Sequence, residues 1–186
     1  GRVLALAQRR GRVDAAERDA VALDASPPAA SVFKLVTTAA LLERGGAELE
    51  TRTCYHGGAG GLEAEHLVDS PERDAACASL SAALGRSANA VFAKLSDRRL
   101  SARDLSETAR RFFFDRPLPF DVPVPASRVD IPTDRLERAR AAAGFWHTHL
   151  SPLHAAAIAQ AIAQDGAMLR PYVVDTVTSA EGEILY

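Results

Sequence analysis

A serine and a lysine stand three residues apart at the start of the segment "SVFKLVTTAALLE". At this spacing Ser31 and Lys34 share one face of the first turn of the helix that the segment predicts. Burial and the partial positive charge of a helix N-terminus both disfavour an ammonium group, so both lower the pKa of a lysine. A neutral Lys34 amine can take the proton of the Ser31 hydroxyl and make it a nucleophile. The Ser31 N–H, at the same helix end, is a candidate oxyanion donor.

Arginine greatly outnumbers lysine among the basic residues of the chain, so the presence of Lys34 needs a reason. Of the 22 basic residues only Lys34 and Lys94 are lysines, and Asn89 is the only asparagine in the chain. Arginine keeps its proton in a protein, whereas lysine can lose it when buried. A lysine retained at an apolar site therefore indicates a role for a neutral amine. Asn89 follows Ser87 by two residues, and this pair forms a second cluster of candidate site residues.

Helices are predicted around both clusters. The first covers residues 31–43, has apolar residues on most of its sides and ends at Gly45-Gly46. Further helices are predicted over residues 71–84 with Ser70 as cap, through "AVFAKLSDRR", after the capping box "SARD" into "LSETARRFF", and from Ser151-Pro152 to Gly166.

Strands are predicted at the two ends of the sequence. "GRVLALA" reads as a strand that leads into a turn at Arg10-Gly11, and "YVVDTV" with "EILY" reads as a hairpin. "CYHGGAGG" is predicted to be a loop. Strands followed by many helices and then strands indicate the α+β class, with a helical cluster packed on an antiparallel sheet.

The motifs and their surroundings resemble one known family. Ser31-Val-Phe-Lys34 followed by Ser87-Ala-Asn89 is similar to the first two motifs of the penicillin-binding protein transpeptidases and the related serine β-lactamases. The likeness covers nearly the whole chain, because further segments match that domain in the same order: "GRVLALA", "SVFKLVTTAALLE", "CYHGG", "LSAALGRSANAVFAKL" and "LSPLHAAAIAQAIAQDGAMLRPYVV".

The resemblance implies a role for each of the four residues. Ser31 would attack the penultimate D-alanine carbonyl of a peptidoglycan stem peptide, and Lys34 would be the base for this acylation. Ser87 would relay a proton to the leaving D-alanine, and Asn89 would hydrogen-bond both Lys34 and the substrate amide. An amine from a neighbouring strand would then take the acyl group. β-Lactams would mimic the substrate and leave Ser31 acylated, and no metal or organic cofactor is needed.

The sequence departs from the family pattern in one respect, the absence of a third motif of the Lys-Thr-Gly type. Neither lysine is followed by Thr-Gly, and His147-Thr148-His149 has no glycine and precedes the helix that the motif should follow. Residues 1–186 are therefore expected to be a partial transpeptidase domain, incomplete at the C-terminus. The missing part would hold several sheet strands, the C-terminal helix and a second oxyanion N–H.

The remaining reactive residues are given structural roles. Lys94 is expected to be a solvated surface lysine, and Cys54 and Cys77 are expected to be buried or free thiols, with a disulfide as the alternative in an oxidising compartment. The pairs Cys54-x-His56 and His147-x-His149 fit no compact zinc pattern. Core positions are expected for the aromatic residues Phe112, Phe113, Phe114, Phe120 and Trp146.

Composition limits the class of protein further. With 186 residues, 47% of them hydrophobic, the chain is large enough for one domain with its own core. A net charge of −2 without a basic stripe argues against a nucleic-acid partner. No apolar run reaches the length of a membrane span, so any anchor of an extracytoplasmic, membrane-anchored parent protein is expected to lie outside this chain.

Three functions remain open from the sequence alone. The first is the D,D-transpeptidase, with stem peptides as substrates, β-lactams as ligands and cell-wall synthesis proteins as partners. The second is a serine β-lactamase, which needs a group that activates water for deacylation, and no carboxylate of the sequence can be assigned to that role. The third is a domain that senses β-lactams or serves as a scaffold without turnover, and the absent third motif keeps it open.

Overall fold

A computed structural model describes residues 1–8 and 21–185 of the chain. Within these ranges the elements follow one another in chain order as six helices and four short strands. They are α1 (Phe33–Glu43), β1 (Arg52–Tyr55), β2 (Ala76–Ser79), α2 (Leu80–Gly85), α3 (Asn89–Arg99), α4 (Ala102–Arg111), β3 (Arg128–Val129), α5 (Arg135–Ala142), β4 (Thr148–His149) and α6 (Pro152–Ala163). Two 3-10 turns, Ala30–Val32 and Ala64–Leu67, precede α1 and follow β1.

Helix α1 is buried on most of its sides, as its apolar pattern predicts. Its buried residues include Phe33, Val36 and Leu41, and the Phe33 ring meets the Phe114 ring edge-on with the centroids 5.6 Å apart. Full burial of one such side chain stabilises a fold by about 1.5–3 kcal/mol. These contacts fix the position and rotation of the helix that carries Lys34.

Helix α3 lies at the centre of the larger core. Every residue from 90 to 96 is buried, and the cluster around them includes Leu41 of α1, Leu80 of α2 and Ala139 of α5. Helices α1, α2 and α3 therefore share one core. This packing fixes α1 relative to the connection between α2 and α3.

The sheets are two separate antiparallel pairs of strands, β1 with β2 and β3 with β4. In the first pair Cys54 faces Cys77, and in the second Arg128 faces His149. The predicted α+β class is confirmed, with helices beside small antiparallel sheets in this part of the chain.

The helix predicted over residues 71–84 is wrong in its first half. Residues 76–79 form strand β2, and the helix begins only at Leu80, with the Ser79 hydroxyl as its cap. Pairing with β1 overrides the helical preference of an alanine-rich segment. For the same reason Cys54 and Tyr55, predicted as loop, belong to a strand.

The capping predictions for α4 and α6 are confirmed. Ser101 accepts a hydrogen bond from the Asp104 N–H, and the Asp104 carboxylate accepts one from the Ser101 N–H. Ser151 caps α6, with Pro152 as its first residue, and the chain turns beyond it at Gly166, whose φ is +93°.

The terminal segments pair less than predicted. Arg2 forms a parallel bridge with Tyr172, and Thr178 forms an antiparallel bridge with Ile184, so the C-terminal hairpin is present as a single bridge. The predicted turn at Arg10-Gly11 lies outside the described residues. Within the described ranges, no helix combines the length and the apolar character needed to cross a bilayer.

The aromatic residues predicted as core divide into buried and exposed members. Phe114 is fully buried, and Phe112, Phe113 and Phe120 are partly buried. The prediction for Trp146 is wrong, because 53% of this residue is exposed. Its ring lies beside the Arg140 guanidinium and its indole N–H donates to Glu137, so polar partners hold it at the surface.

Candidate active site

Ser31 lies in the 3-10 turn that leads into α1, and Lys34 lies in the first turn of that helix. The turn begins at Ala30, which has a φ of +47° in the left-handed region that residues with a side chain rarely adopt. Ser31 is exposed while Lys34 is only 1% exposed. The sequence thus directs a hydroxyl outward and an amine inward from adjacent turns.

Ser87 lies in the short connection between α2 and α3. Its N–H donates to the Leu84 carbonyl, and its φ is +53°, a conformation that commonly ends a helix. The chain then re-enters a helix at Asn89. This tight reversal leaves the Ser87 side chain exposed in front of Ser31.

The hydroxyls of Ser31 and Ser87 and the amine of Lys34 form a triangle of hydrogen-bonded atoms. The Lys34 Nζ lies 2.9 Å from Ser31 Oγ and 3.2 Å from Ser87 Oγ, and the two hydroxyl oxygens are 2.6 Å apart. All three distances allow proton transfer without movement of the heavy atoms. The structure therefore brings together three of the four residues predicted for the site.

The environment of Lys34 disfavours its charge. The Phe92 ring, whose centre lies 5.9 Å from Nζ, attracts a cation only weakly at the limit of the cation–π range, and no carboxylate among the described residues forms an ion pair with the amine. Desolvation by burial lowers the pKa of Lys34 to about 8. At neutral pH an appreciable fraction of this amine is thus unprotonated and able to act as a base.

Asn89 is placed differently from its predicted role. Its Nδ2 donates to the Gly58 carbonyl at 3.1 Å, and the hydrogen bond expected between Asn89 and Lys34 is not formed. Gly58 has a φ of +78°, and a Cβ at this position would lie 2.8 Å from the Cβ of Ala90. Only a glycine can approach helix α3 this closely, so the backbone of the loop that follows β1 fixes the side chain of Asn89.

Lys94 is buried, and the prediction of a solvated surface lysine is wrong. It is 0% exposed, its Nζ lies 2.7 Å from the Asp74 carboxylate, and it donates to the Cys54 carbonyl at 3.0 Å. Asp74 also binds His56 Nδ1 at 2.5 Å, and this bond, followed by that to Lys94, holds the pKa of Asp74 well below its usual value. An ion pair therefore satisfies the Lys94 amine, unlike that of Lys34.

Cys54 and Cys77 form a disulfide. The prediction that they are buried or free thiols is therefore wrong. The two residues face each other in the β1–β2 pair, and both are exposed. Direct pairing of the strands brings two cysteines that are distant in sequence into bonding range.

A metal has no convincing ligand set among the described residues. One ligand atom each from His56, Glu65 and His66 lie within 4.8 Å of one another. However, His66 Nδ1 accepts a hydrogen bond from the Glu63 N–H, which places the proton of the neutral ring on Nε2, and Glu65 is paired with Arg73. The two pairs considered from the sequence are also engaged, since Cys54 is oxidised and His147 contacts Glu137.

Comparison with known proteins decides the family. The model of the penicillin-binding protein transpeptidase domain matches residues 1–184. The chain belongs to this family. Its Ser31–Lys34 and Ser87–Asn89 pairs are thus the residues of this chain that resemble the first two motifs of the penicillin-binding transpeptidases.

Relatives with names and solved structures agree with this assignment. The peptidoglycan D,D-transpeptidase PbpA of Mycobacterium tuberculosis is 32% identical over 176 residues, which cover 91% of this chain and 35% of the relative. The ceftriaxone acyl-enzyme complex of penicillin-binding protein A from M. tuberculosis has a TM-score of 0.75 at 28% identity, covering 90% of this chain and 38% of that one. The transpeptidase domain of an Eggerthella lenta peptidoglycan glycosyltransferase has a TM-score of 0.69 at 29% identity, with coverages of 87% and 43%.

The chain spans about a third of the length of the curated relatives that it matches. The residues that the family model matches, 1–184, include Ser31, Lys34 and the helical core around them.

Proposed function

We propose that the protein containing this chain is a peptidoglycan D,D-transpeptidase, with residues 1–186 as part of its transpeptidase domain. The proposal is supported above all by the triangle of Ser31, Lys34 and Ser87, in which a buried amine with a lowered pKa lies 2.9 Å from an exposed hydroxyl. Family membership and the M. tuberculosis relatives, whose structures include acyl-enzyme complexes, support the same reaction.

In the first half of the reaction, neutral Lys34 takes the hydroxyl proton as Ser31 Oγ bonds to the penultimate D-alanine carbonyl carbon. The carbonyl oxygen becomes an oxyanion, for which the Ser31 N–H is a donor at the start of the helix. As the intermediate collapses, the peptide C–N bond breaks and the leaving D-alanine nitrogen receives a proton. Ser87 Oγ, within 3.2 Å of Lys34 Nζ and 2.6 Å of Ser31 Oγ, carries that proton.

In the second half, the acyl group passes from Ser31 to the amine of a neighbouring stem peptide. The same triangle works in reverse: the attacking amine gives up a proton, and Ser31 Oγ regains one as its ester bond breaks. Asn89, held by the Gly58 carbonyl, is the proposed partner of the substrate amide. A β-lactam follows only the first half and leaves Ser31 acylated.

The proposed location is the outer face of the cytoplasmic membrane, where stem peptides are found. The disulfide between Cys54 and Cys77 supports an oxidising compartment, because exposed disulfides are reduced in the cytosol. The proposed parent protein is membrane-anchored and works with other proteins of cell-wall synthesis.

The test is acylation of the full-length protein by a fluorescent penicillin, followed as the mass of the adduct over hours. We expect a persistent adduct on Ser31 that is lost in Ser31→Ala and retained in the control Ser106→Ala, a serine of α4 distant in sequence from both motifs. D-alanine release from a stem-peptide substrate must accompany it. Rapid loss of the adduct would indicate a β-lactamase, an adduct without D-alanine release would indicate a sensor, and labelling unaffected by Ser31→Ala would refute the proposal.

A further inference from the structure

The peptide bond between Ala30 and Ser31 adopts a conformation that needs outside support. Ala30 has a φ of +47°, where a side chain crowds the following carbonyl. Ala30 is also exposed, so its own side chain packs against little. Contacts made by neighbouring segments must therefore hold this peptide, which carries the N–H of Ser31.

The support comes from Gly144, a buried glycine just beyond α5. A Cβ at Gly144 would lie 2.0 Å from the Ala30 carbonyl oxygen, 2.6 Å from its carbon and 3.3 Å from the Ser31 nitrogen. The α-carbon of Gly144 is thus packed directly on the peptide that precedes the proposed nucleophile. Because backbone cannot move aside like a flexible side chain, this contact determines where the peptide lies.

Two hydrogen bonds tie the segment that carries Gly144 to the region around Ser31. The Thr37 hydroxyl donates to the Ala142 carbonyl at 2.7 Å, and the Ala29 N–H donates to the Thr148 carbonyl at 2.8 Å. The first lies two residues before Gly144 and the second four residues after it. Residues 142–148 therefore form a brace that is anchored on both sides of the contact.

We infer that Gly144 is a positioning residue of the acyl-transfer site, which holds the Ala30–Ser31 peptide and so places Ser31 Oγ against Lys34 and Ser87. The inference rests on the proposed function, because it concerns the rate of the same acylation. A Cβ at position 144 would lie 2.0 Å from the Ala30 carbonyl oxygen, so the peptide must move by more than about 1 Å before ordinary contact is restored. Misplacement on this scale costs about 100-fold in rate.

The experiment compares Gly144→Ala with Gly166→Ala in the full-length protein. Gly166 is a matched control, because its φ is +93° against +90° for Gly144, yet a Cβ there meets no atom within 4 Å. Both variants carry the same backbone penalty, and only Gly144→Ala presses on the Ala30–Ser31 peptide. Thermal unfolding establishes that each variant is folded, and stopped-flow labelling with a fluorescent penicillin separates the reversible binding constant from the first-order acylation constant.

We expect the acylation constant of Gly144→Ala to fall about 100-fold while the binding constant changes less than threefold. Both constants of Gly166→Ala should stay within threefold of the unaltered protein. The double variant Ala30→Gly with Gly144→Ala should recover at least tenfold, since a glycine at position 30 lets the carbonyl oxygen turn away from the new Cβ while Ser31 keeps its place. A merely structural role of Gly144 would give no such recovery.

The results that overturn the inference are distinct from those that overturn the proposed function. Folded Gly144→Ala that acylates as fast as Gly166→Ala, or that loses only binding, refutes the positioning role alone. If Gly144→Ala does not fold, Thr37→Val tests the brace without added atoms, and an acylation constant less than fivefold below that of the unaltered protein refutes the inference. Absence of labelling in the unaltered protein removes the proposed function and this inference with it.

Discussion

Acylation of Ser31 is expected to accelerate about tenfold between pH 7 and pH 9 and then to level off. The cause is the titration of Lys34, because only its neutral amine accepts the hydroxyl proton. With a pKa of about 8, the neutral fraction rises from about 0.1 at pH 7 to about 0.9 at pH 9. A solvated lysine with the ordinary pKa of about 10.5 would instead give a hundredfold rise over this interval with no plateau.

The assay is the second-order rate constant for labelling of the full-length protein by a fluorescent penicillin, measured by stopped flow from pH 6 to 9.5. At penicillin concentrations below saturation, the labelling rate divided by the penicillin concentration reports ionisations of the free enzyme. Lys34→Arg is the control, because a guanidinium keeps its proton over the whole range. Its rate should be lower by about 10²–10⁴-fold, and the step near pH 8 should vanish.

The profile has two outcomes that contradict the reasoning. If the logarithm of the rate constant rises with a slope of one up to pH 9.5, Lys34 is solvated and its burial does not disfavour its charge. A step near pH 8 that persists in Lys34→Arg would belong to another group. Further burial of Lys34 by other parts of the protein moves the step to lower pH, so a step below 8 agrees with the argument.

Three further changes test the surroundings of the site by their effect on unfolding. Asp74→Asn removes the charge that pairs with buried Lys94, so the thermal midpoint should fall, and an unchanged midpoint would contradict the buried ion pair. Replacing Cys54 and Cys77 by serine opens a loop closed across 23 positions and should lower the free energy of unfolding by about 3 kcal/mol in denaturant titration, whereas equal stability of both forms would argue against the disulfide. Ser101→Ala removes the cap of α4 and should cost about 1 kcal/mol, against little change for Ser106→Ala in the same helix.

Local spacing predicted much of the candidate site. Ser31 and Lys34 lie on one helical turn, so their proximity follows from the helix period alone. Their distance to Ser87 depends on how α1 packs against α2 and α3, which the sequence indicates only through its resemblance to a family. The partner of Asn89 could not be predicted, because it is a backbone carbonyl 31 residues away in a glycine loop.

The wrong predictions for Lys94, for residues 76–79 and for the two cysteines share a physical cause, which is pairing between segments that are distant in sequence. The local sequence predicts a surface position for Lys94, because Asp74, the partner that allows its burial, lies 20 residues earlier in a loop. Residues 76–79 have helical composition, yet the β1 strand supplies hydrogen bonds that favour the extended form. The same pairing brings Cys54 to Cys77. Gly144 carries a weak sequence signal, since a glycine directly after an alanine-rich helix is common as a cap.

Both lysines of the 186 residues are buried, Lys34 at 1% and Lys94 at 0% exposure, while the surface carries its positive charge as arginine. Amine-directed reagents such as succinimidyl esters therefore find no accessible side-chain target on the described residues. Modification at either position requires a transient local opening around the amine, so the rate of biotinylation or carbamylation there measures that opening rather than surface chemistry. A residue-resolved labelling time course would thus report the openings around Lys34 and Lys94 separately.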